Sequence, residues 1–153
     1  MMKIERVEVF GVAVPLVGEY KNAYKSKSIQ KSAIVRITAT GGAVGLGNID
    51  PSPGYSMETI EESLGVLETK LAGLIVGMDP TNIHRILQKI EPAVEGFYDS
   101  KAAIEMACVD LTARACGVPV HTYLGGAVKD RLTFNAWIGI LPPDEAEIGR
   151  AHV

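Results

Sequence analysis

One stretch of this sequence gathers polar side chains suited to holding a ligand. Residues 17–31 (VGEYKNAYKSKSIQK) are rich in Lys, Ser and Tyr and show little periodicity. They read as a loop, and long ordered loops in compact domains serve as lids or binding loops. Lys25 and Lys27 within it are compatible with an anionic substrate. Bond-breaking chemistry has no comparable candidate. Glu58, Glu61 and Glu62 sit on a helix face, and Asp110 stands alone in an apolar helix. An acid among apolar residues can be a tuned catalytic group. The structural reading is the stronger one here: a carboxylate bonded to backbone, or paired with Arg114 or Arg131. His84 and His121 have no second His, Cys or carboxylate at ligand spacing, whereas a metal site wants several donors. Cys108 and Cys116 lie roughly two helical turns apart and read as small core residues. Gly41-Gly42 and Gly45-Leu46-Gly47 lack the lysine and the strand–glycine–helix order of phosphate loops, so they read as hairpin glycines. No catalytic and no metal-ligating residue is expected in this chain.

Composition narrows the classes further. The chain has 153 residues, a soft prior of one domain, with 47% hydrophobic and 22% charged residues. Its 15 Lys+Arg against 18 Asp+Glu leave a formal net charge of -3, which argues against nucleic acid as a partner. No run approaches ~18 consecutive apolar residues, so no membrane span is expected. The first six residues are charged and lack the apolar core of a signal peptide. Two cysteines exclude a disulfide-dense secreted scaffold, and a cytoplasmic setting is the simplest expectation.

The elements that must position the polar stretch are of two kinds. Apolar residues alternate along residues 4–14, a strand that Pro15 should end. Residues 32–40 resume as a strand, Gly41-Gly42 turns the chain, and residues 43–49 return antiparallel. The result is a three-stranded meander. Residues 50–55 (DPSPGY) form a second loop. The period then changes. Ser56 should cap a first helix, with Glu58 in its first turn and Ile60, Leu64, Leu67 and Leu71 at helical spacing. Asp79-Pro80-Thr81 should start a second helix, which Pro92 stops. Ser100 should cap a third over residues 101–116, apolar on both sides and ended by Gly117-Val118-Pro119. Residues 132–141 (LTFNAWIGIL) read as a strand buried on both faces, as in a parallel sheet.

The ordered series of features resembles the enolase superfamily, and more narrowly its mandelate racemase and muconate lactonizing enzyme group. The most specific segment is residues 100–126, SKAAIEMACVDLTARACGVPVHTYLGG, an Ala-rich helix with Ala-Ile, Asp-Leu, Gly-x-Pro and a terminal Leu-Gly-Gly. Gly45-Leu46-Gly47, the Pro53-Gly54-Tyr55-Ser56 loop and Gly77-Met78-Asp79-Pro80 also fit. The resemblance implies an α+β fold: a three-stranded antiparallel meander and a helical bundle forming an N-terminal cap domain over residues 1–126. Residues 127–146 would be the first strand and helix start of a truncated TIM-like barrel. Residues 147–153 (EIGRAHV) match the translation of a common sequencing adapter and are expected to be a non-native tail.

The implied activity is that of a racemase, epimerase or cycloisomerase, or alternatively a dehydratase, acting on a small carboxylate. Its shared step removes a proton α to the carboxylate and gives an enediolate stabilised by Mg²⁺. The bases and metal ligands would lie on later barrel strands, so the chain alone should be inactive. A noncatalytic binding or assembly module is the alternative from a different class. In the family the first loop closes over substrate. The resemblance thus implies substrate contacts from Tyr24, Lys25, Ser26 and Lys27, with Asn48 and Tyr55 in the second loop. Trp137 would line the pocket near the end of the first barrel strand. Whole enzymes of this kind are often homo-oligomers.

Overall fold

The structure is a computed structural model that describes residues 2–21, 26–52, 54–134, 140 and 143–144. Three strands, β1 (Ile4–Lys21), β2 (Ser26–Ala39) and β3 (Val44–Ile49), form an antiparallel sheet in the order β1-β2-β3. Side chains alternate across the pleat. Ile4 of β1, Ala33, Val35, Ile37 and Ala39 of β2, and Ile49 of β3 are buried beneath the helices. Gly41 and Gly42 turn β2 into β3 with φ of 86° and 82°, a region that glycine enters without strain.

The alternation predicts an end to β1 at Pro15, but the strand continues to Lys21. Pro15 pairs with Ile29 on a strand at the edge of the sheet, where a missing N–H need not cost a ladder bond. The polar stretch is therefore not one long loop. Its described residues form the ends of β1 and β2, paired as Tyr20 with Lys27 and Lys21 with Ser26. We call residues 16–29 the arm.

Helix α1 (Ile60–Val66) passes through a wider turn at Leu67–Leu71 into α2 (Ala72–Ile75). Its N-cap is Thr59, not Ser56. Thr59 and Glu62 bond each other reciprocally in a capping box, two donors satisfied at once. Ser56 instead stays within the loop, where its hydroxyl accepts the Ser52 amide at 3.1 Å. Helix α3 (Ile83–Ile90) is capped by Asn82, whose side chain accepts the Arg85 amide at 3.1 Å. It starts slightly later than Asp79-Pro80-Thr81 suggests, because Asp79 accepts from Thr81 in a local turn. Pro92 sits in the short 3-10 turn Glu91–Ala93 that follows.

Helix α4 (Tyr98–Ala115) lies across β3 and buries Ala103, Ile104, Ala107, Cys108 and Leu111. Two glycines make that approach possible. A Cβ on Gly45 would lie 2.1 Å from the Ala107 carbonyl oxygen, and one on Gly47 would lie 1.9 Å from that of Ala103. Asp110 completes the seam: its carboxylate accepts the Leu46 amide at 2.9 Å and the Arg114 Nε at 2.8 Å. A backbone bond and an arginine thus hold it in a structural role.

Two further expectations need correction. Helix α4 starts at Tyr98 with Phe97, at φ 52°, in the N-cap position, so Ser100 is inside the helix and not its cap. Cys116 is exposed, because the helix ends at Ala115 and turns away from the core, whereas Cys108 is buried. The expected buried strand over residues 132–141 lies largely outside the described residues; of those described, Leu132, Phe134 and Ile140 are exposed and are not part of the β1–β3 sheet. The preceding apolar piece is a short helix, α5 (Val120–Tyr123). No helix among the described residues is long and apolar enough to cross a membrane.

Candidate functional site

The arm carries Ser26 and Lys27 at the start of β2. The Ser26 hydroxyl donates to Glu19 across the arm, and Lys21 Nζ lies 3.0 Å from the same carboxylate. The Ser26 hydroxyl first, then the Lys21 ammonium, hold the Glu19 carboxyl below the ordinary carboxylate range. Lys27 donates to the Gln30 side-chain oxygen and lies over the Tyr20 ring at 5.3 Å. Its charge is thus met by an amide oxygen and an aromatic face.

The loop between β3 and α1 reaches the arm from the other side. Between them lies a hollow of about 310 Å³, lined by Lys27, Gln30 and Lys31 of β2, by Pro51 and Ser56 of the loop, and by Glu58. Lys31 is ion-paired to Glu61 at 2.8 Å. The cavity therefore joins one residue of each expected binding segment, with Lys27 on the arm and the second loop facing it. Asn48 and Tyr55 do not line it. The Asn48 amide donates to Asp50 at 3.2 Å, and Tyr55 is 71% exposed on the outer side of the loop. Tyr24, Lys25 and Trp137 lie outside the described residues.

Glu58 was not a candidate from sequence beyond its place in a first turn, yet it is the buried acid of the hollow, only 7% exposed. It precedes α1 and does not serve that helix's dipole. Its Oε1 accepts the amides of Asp99 at 2.8 Å and Ser100 at 3.2 Å, at the start of α4. Its Oε2 accepts the hydroxyls of Ser63, at 2.6 Å, and Ser100. Phe97 offers α4 no side-chain cap, so an acid 41 residues away takes that place. No signal for this stands in the sequence, because Ser100 reads as an ordinary cap and the true cap position, Phe97, is set by the fold.

Chemically, the arrangement can bind, orient and cover a ligand. Among the described residues no three His, Cys, Asp or Glu side chains are grouped to hold a metal ion. The donor set does not fit Mg²⁺. His84 and His121 are both exposed.

Comparison with known proteins places this geometry. The profile of the mandelate racemase / muconate lactonizing enzyme N-terminal domain matches residues 4–125. A chloromuconate cycloisomerase from Pseudomonas putida is 38% identical over 138 residues, 89% of this chain and 37% of that protein. The L-Ala-D/L-Glu epimerase of Bacillus subtilis is 35% identical over 147 residues, 94% of this chain and 39% of that enzyme. The crystal structure of a dipeptide epimerase from Enterococcus faecalis, complexed with Mg and the dipeptide L-Leu-L-Tyr, superposes with a TM-score of 0.90 at 27% identity, over 98% of this chain and 42% of the other. The chain thus spans about two fifths of the length of these relatives, which are isomerases. With a three-stranded meander, a helical layer seated on it and a profile match across both, the chain belongs to the mandelate racemase / muconate lactonizing enzyme family, through that family's N-terminal domain.

Proposed function

We propose that this chain is the substrate-capping part of an isomerase that removes a proton α to the carboxylate of a small molecule, as a racemase, epimerase or cycloisomerase. The observation that carries the reading is the hollow shared by Lys27 of the arm and the β3–α1 loop. The arm supplies Tyr24, Lys25, Ser26 and Lys27 toward the substrate; the second loop supplies Pro51 and Ser56 to the hollow itself, with Asn48 and Tyr55 meeting substrate from outside it; Trp137 contributes from the following segment. Closure of the arm excludes water and fixes which carboxylates fit. Residues 1–126 form the cap and residues 127–146 lead into a barrel that carries the acid, base and metal-binding groups. The 153 residues alone do not turn over substrate.

A second reading, a noncatalytic assembly module, is favoured by one observation. Val128 and Phe134 are 97% and 86% exposed, and apolar surface of this kind needs a cover.

Proton exchange in D₂O separates the two. Loss of the Cα–H signal is followed by NMR for a panel including L-Ala-L-Glu, L-Leu-L-Tyr and other chiral carboxylates. The 153-residue chain should exchange none of them. The protein extended along its own reading frame should exchange at least one, and should lose that activity when Lys27 is replaced by Ala. An extended protein inert toward every carboxylate would overturn the isomerase reading.

A further inference from the structure

The hollow between the arm and the β3–α1 loop holds its shape only if the loop is fixed. Three of the loop's hydrogen bonds are local. The Tyr55 and Ser56 amides donate to the Ser52 carbonyl at 3.0 and 2.9 Å, and the Ser52 amide donates to the Ser56 hydroxyl. Pro51 stiffens the entry, and Gly54, at φ 87°, makes the bend. None of these bonds ties the loop to the rest of the fold. Two residues after Ser56 comes Glu58, buried in the wall of the hollow, with both carboxylate oxygens engaged. One oxygen takes the first amides of α4; the other takes hydroxyls from α1 and α4. Helix α4 is itself seated on β3 through Gly45 and Gly47. A chain of contacts therefore runs from the sheet to α4, from α4 to Glu58, and from Glu58 to the loop facing Lys27.

We propose that Glu58 is a positioning residue for the substrate-facing hollow: it anchors the β3–α1 loop to the N-terminus of α4 and so sets the distance between that loop and the arm. This rests on the reading of the hollow as substrate-facing, but the anchoring itself is a property of the chain without substrate. Removing the carboxylate leaves two α4 amides and the Ser100 hydroxyl without this acceptor, in a site water hardly reaches, while the Ser63 hydroxyl keeps the Thr59 carbonyl at 2.9 Å. The loop then keeps its local bonds and loses its anchor.

Amide hydrogen exchange on the 153-residue chain tests this at five resolved positions: Asp99 and Ser100 on α4, and Ser52, Tyr55 and Ser56 in the loop. In Glu58→Ala all five should exchange faster by about tenfold or more, the scale expected when a buried acceptor is lost. Glu58→Gln keeps an oxygen for the two amides and an amide group for the hydroxyls, and should recover most of the protection at all five. If Asp99 and Ser100 open in Glu58→Ala while Ser52, Tyr55 and Ser56 stay as in the parent chain, Glu58 caps α4 but positions nothing, and the proposal is overturned. Should Glu58→Ala fail to fold, Glu58→Asp keeps the charge but shortens the side chain by one methylene and draws the carboxylate away from the α4 amides. It should speed exchange at all five amides in the same direction but by less, and faster exchange at Asp99 and Ser100 with no change at the three loop amides would likewise overturn the proposal. Because the readout needs no substrate, it fails or succeeds independently of the isomerase reading.

Discussion

The sheet is built differently at its two sides. Along the β3–α4 seam, backbone meets backbone, glycine replaces side chain, and among the described residues no buried side-chain polar atom lacks a partner. Along the arm, β1 and β2 run past the helices, side chains face solvent, and Lys27 and Tyr20 contact mainly each other and their neighbours. The seam has one solution and tolerates nothing larger. The arm is held by strand pairing and by contacts among its own side chains, which leaves more room for substitution than the seam does. Close packing resides at the first, and the second is where we propose recognition.

That contrast is most easily broken at Gly47. Gly47→Ala places a methyl group 1.9 Å from the Ala103 carbonyl oxygen, and α4 must lift off β3 to admit it. The expected loss is ~3 kcal/mol or more, read as a lowered urea midpoint. A loss under about 1 kcal/mol would show the seam to be looser than described. The two cysteines give the next largest contrast. Burial pushes the Cys108 thiol up to about 12, with a smaller contribution from Glu105, while Cys116 is exposed at the end of α4. One thiol should react with a disulfide reagent in the native chain, and the second only after denaturation. Rapid reaction of both would place α4 off the sheet.

An acid titration sharpens the comparison on the outer face of the sheet. Arg36 grips Glu8 with two bonds of 2.9 Å, and that contact is the main cause holding the Glu8 carboxyl below the ordinary carboxylate range. A depressed carboxyl stabilises the fold above its unfolded value, ordinarily about 4.3 for Glu, and that contribution disappears as the pH falls through the lowered value. Glu62, held down chiefly by the Thr59 amide, and Glu19 act in the same sense. Thermal stability should therefore decline through this acid range, and Arg36→Met should make the decline shallower without abolishing it. An unchanged slope would remove the Glu8–Arg36 pair from the account. The smallest effect is expected on the arm. Val17→Ser, on a fully exposed side chain, should change the urea midpoint by less than the equivalent of about 0.5 kcal/mol. A larger change would mean that the arm packs against something and is not free to vary.

Much of this architecture is legible in the residues themselves, for reasons that differ by element. Strands β2 and β3 and helix α3 announce themselves because one face is buried and the apolar period is regular. The arm is not legible as strand, because polar side chains on an unburied hairpin carry no period and Pro15 suggests a stop. The glycines of β3 stand out in sequence, but the helix they admit is 56 or more residues away, so their reason does not. The same distance hides the role of Glu58, whose partners are contributed by another helix. At the site, residue type points correctly to the arm and the second loop as polar segments. The hollow that Lys27 shares with Pro51, Ser56 and Glu58 depends on how the two segments meet, and that is set by α4.

We propose that this chain caps the active site of a larger isomerase. The most direct measurement is to read the source DNA onward from the codon for Ala146. The account predicts a frame that departs from EIGRAHV and continues for roughly 200 codons or more, the length of a barrel, with a Lys-x-Lys pair followed by spaced Asp and Glu residues. A natural stop codon soon after that of Val153 would contradict it and leave a noncatalytic binding or assembly module.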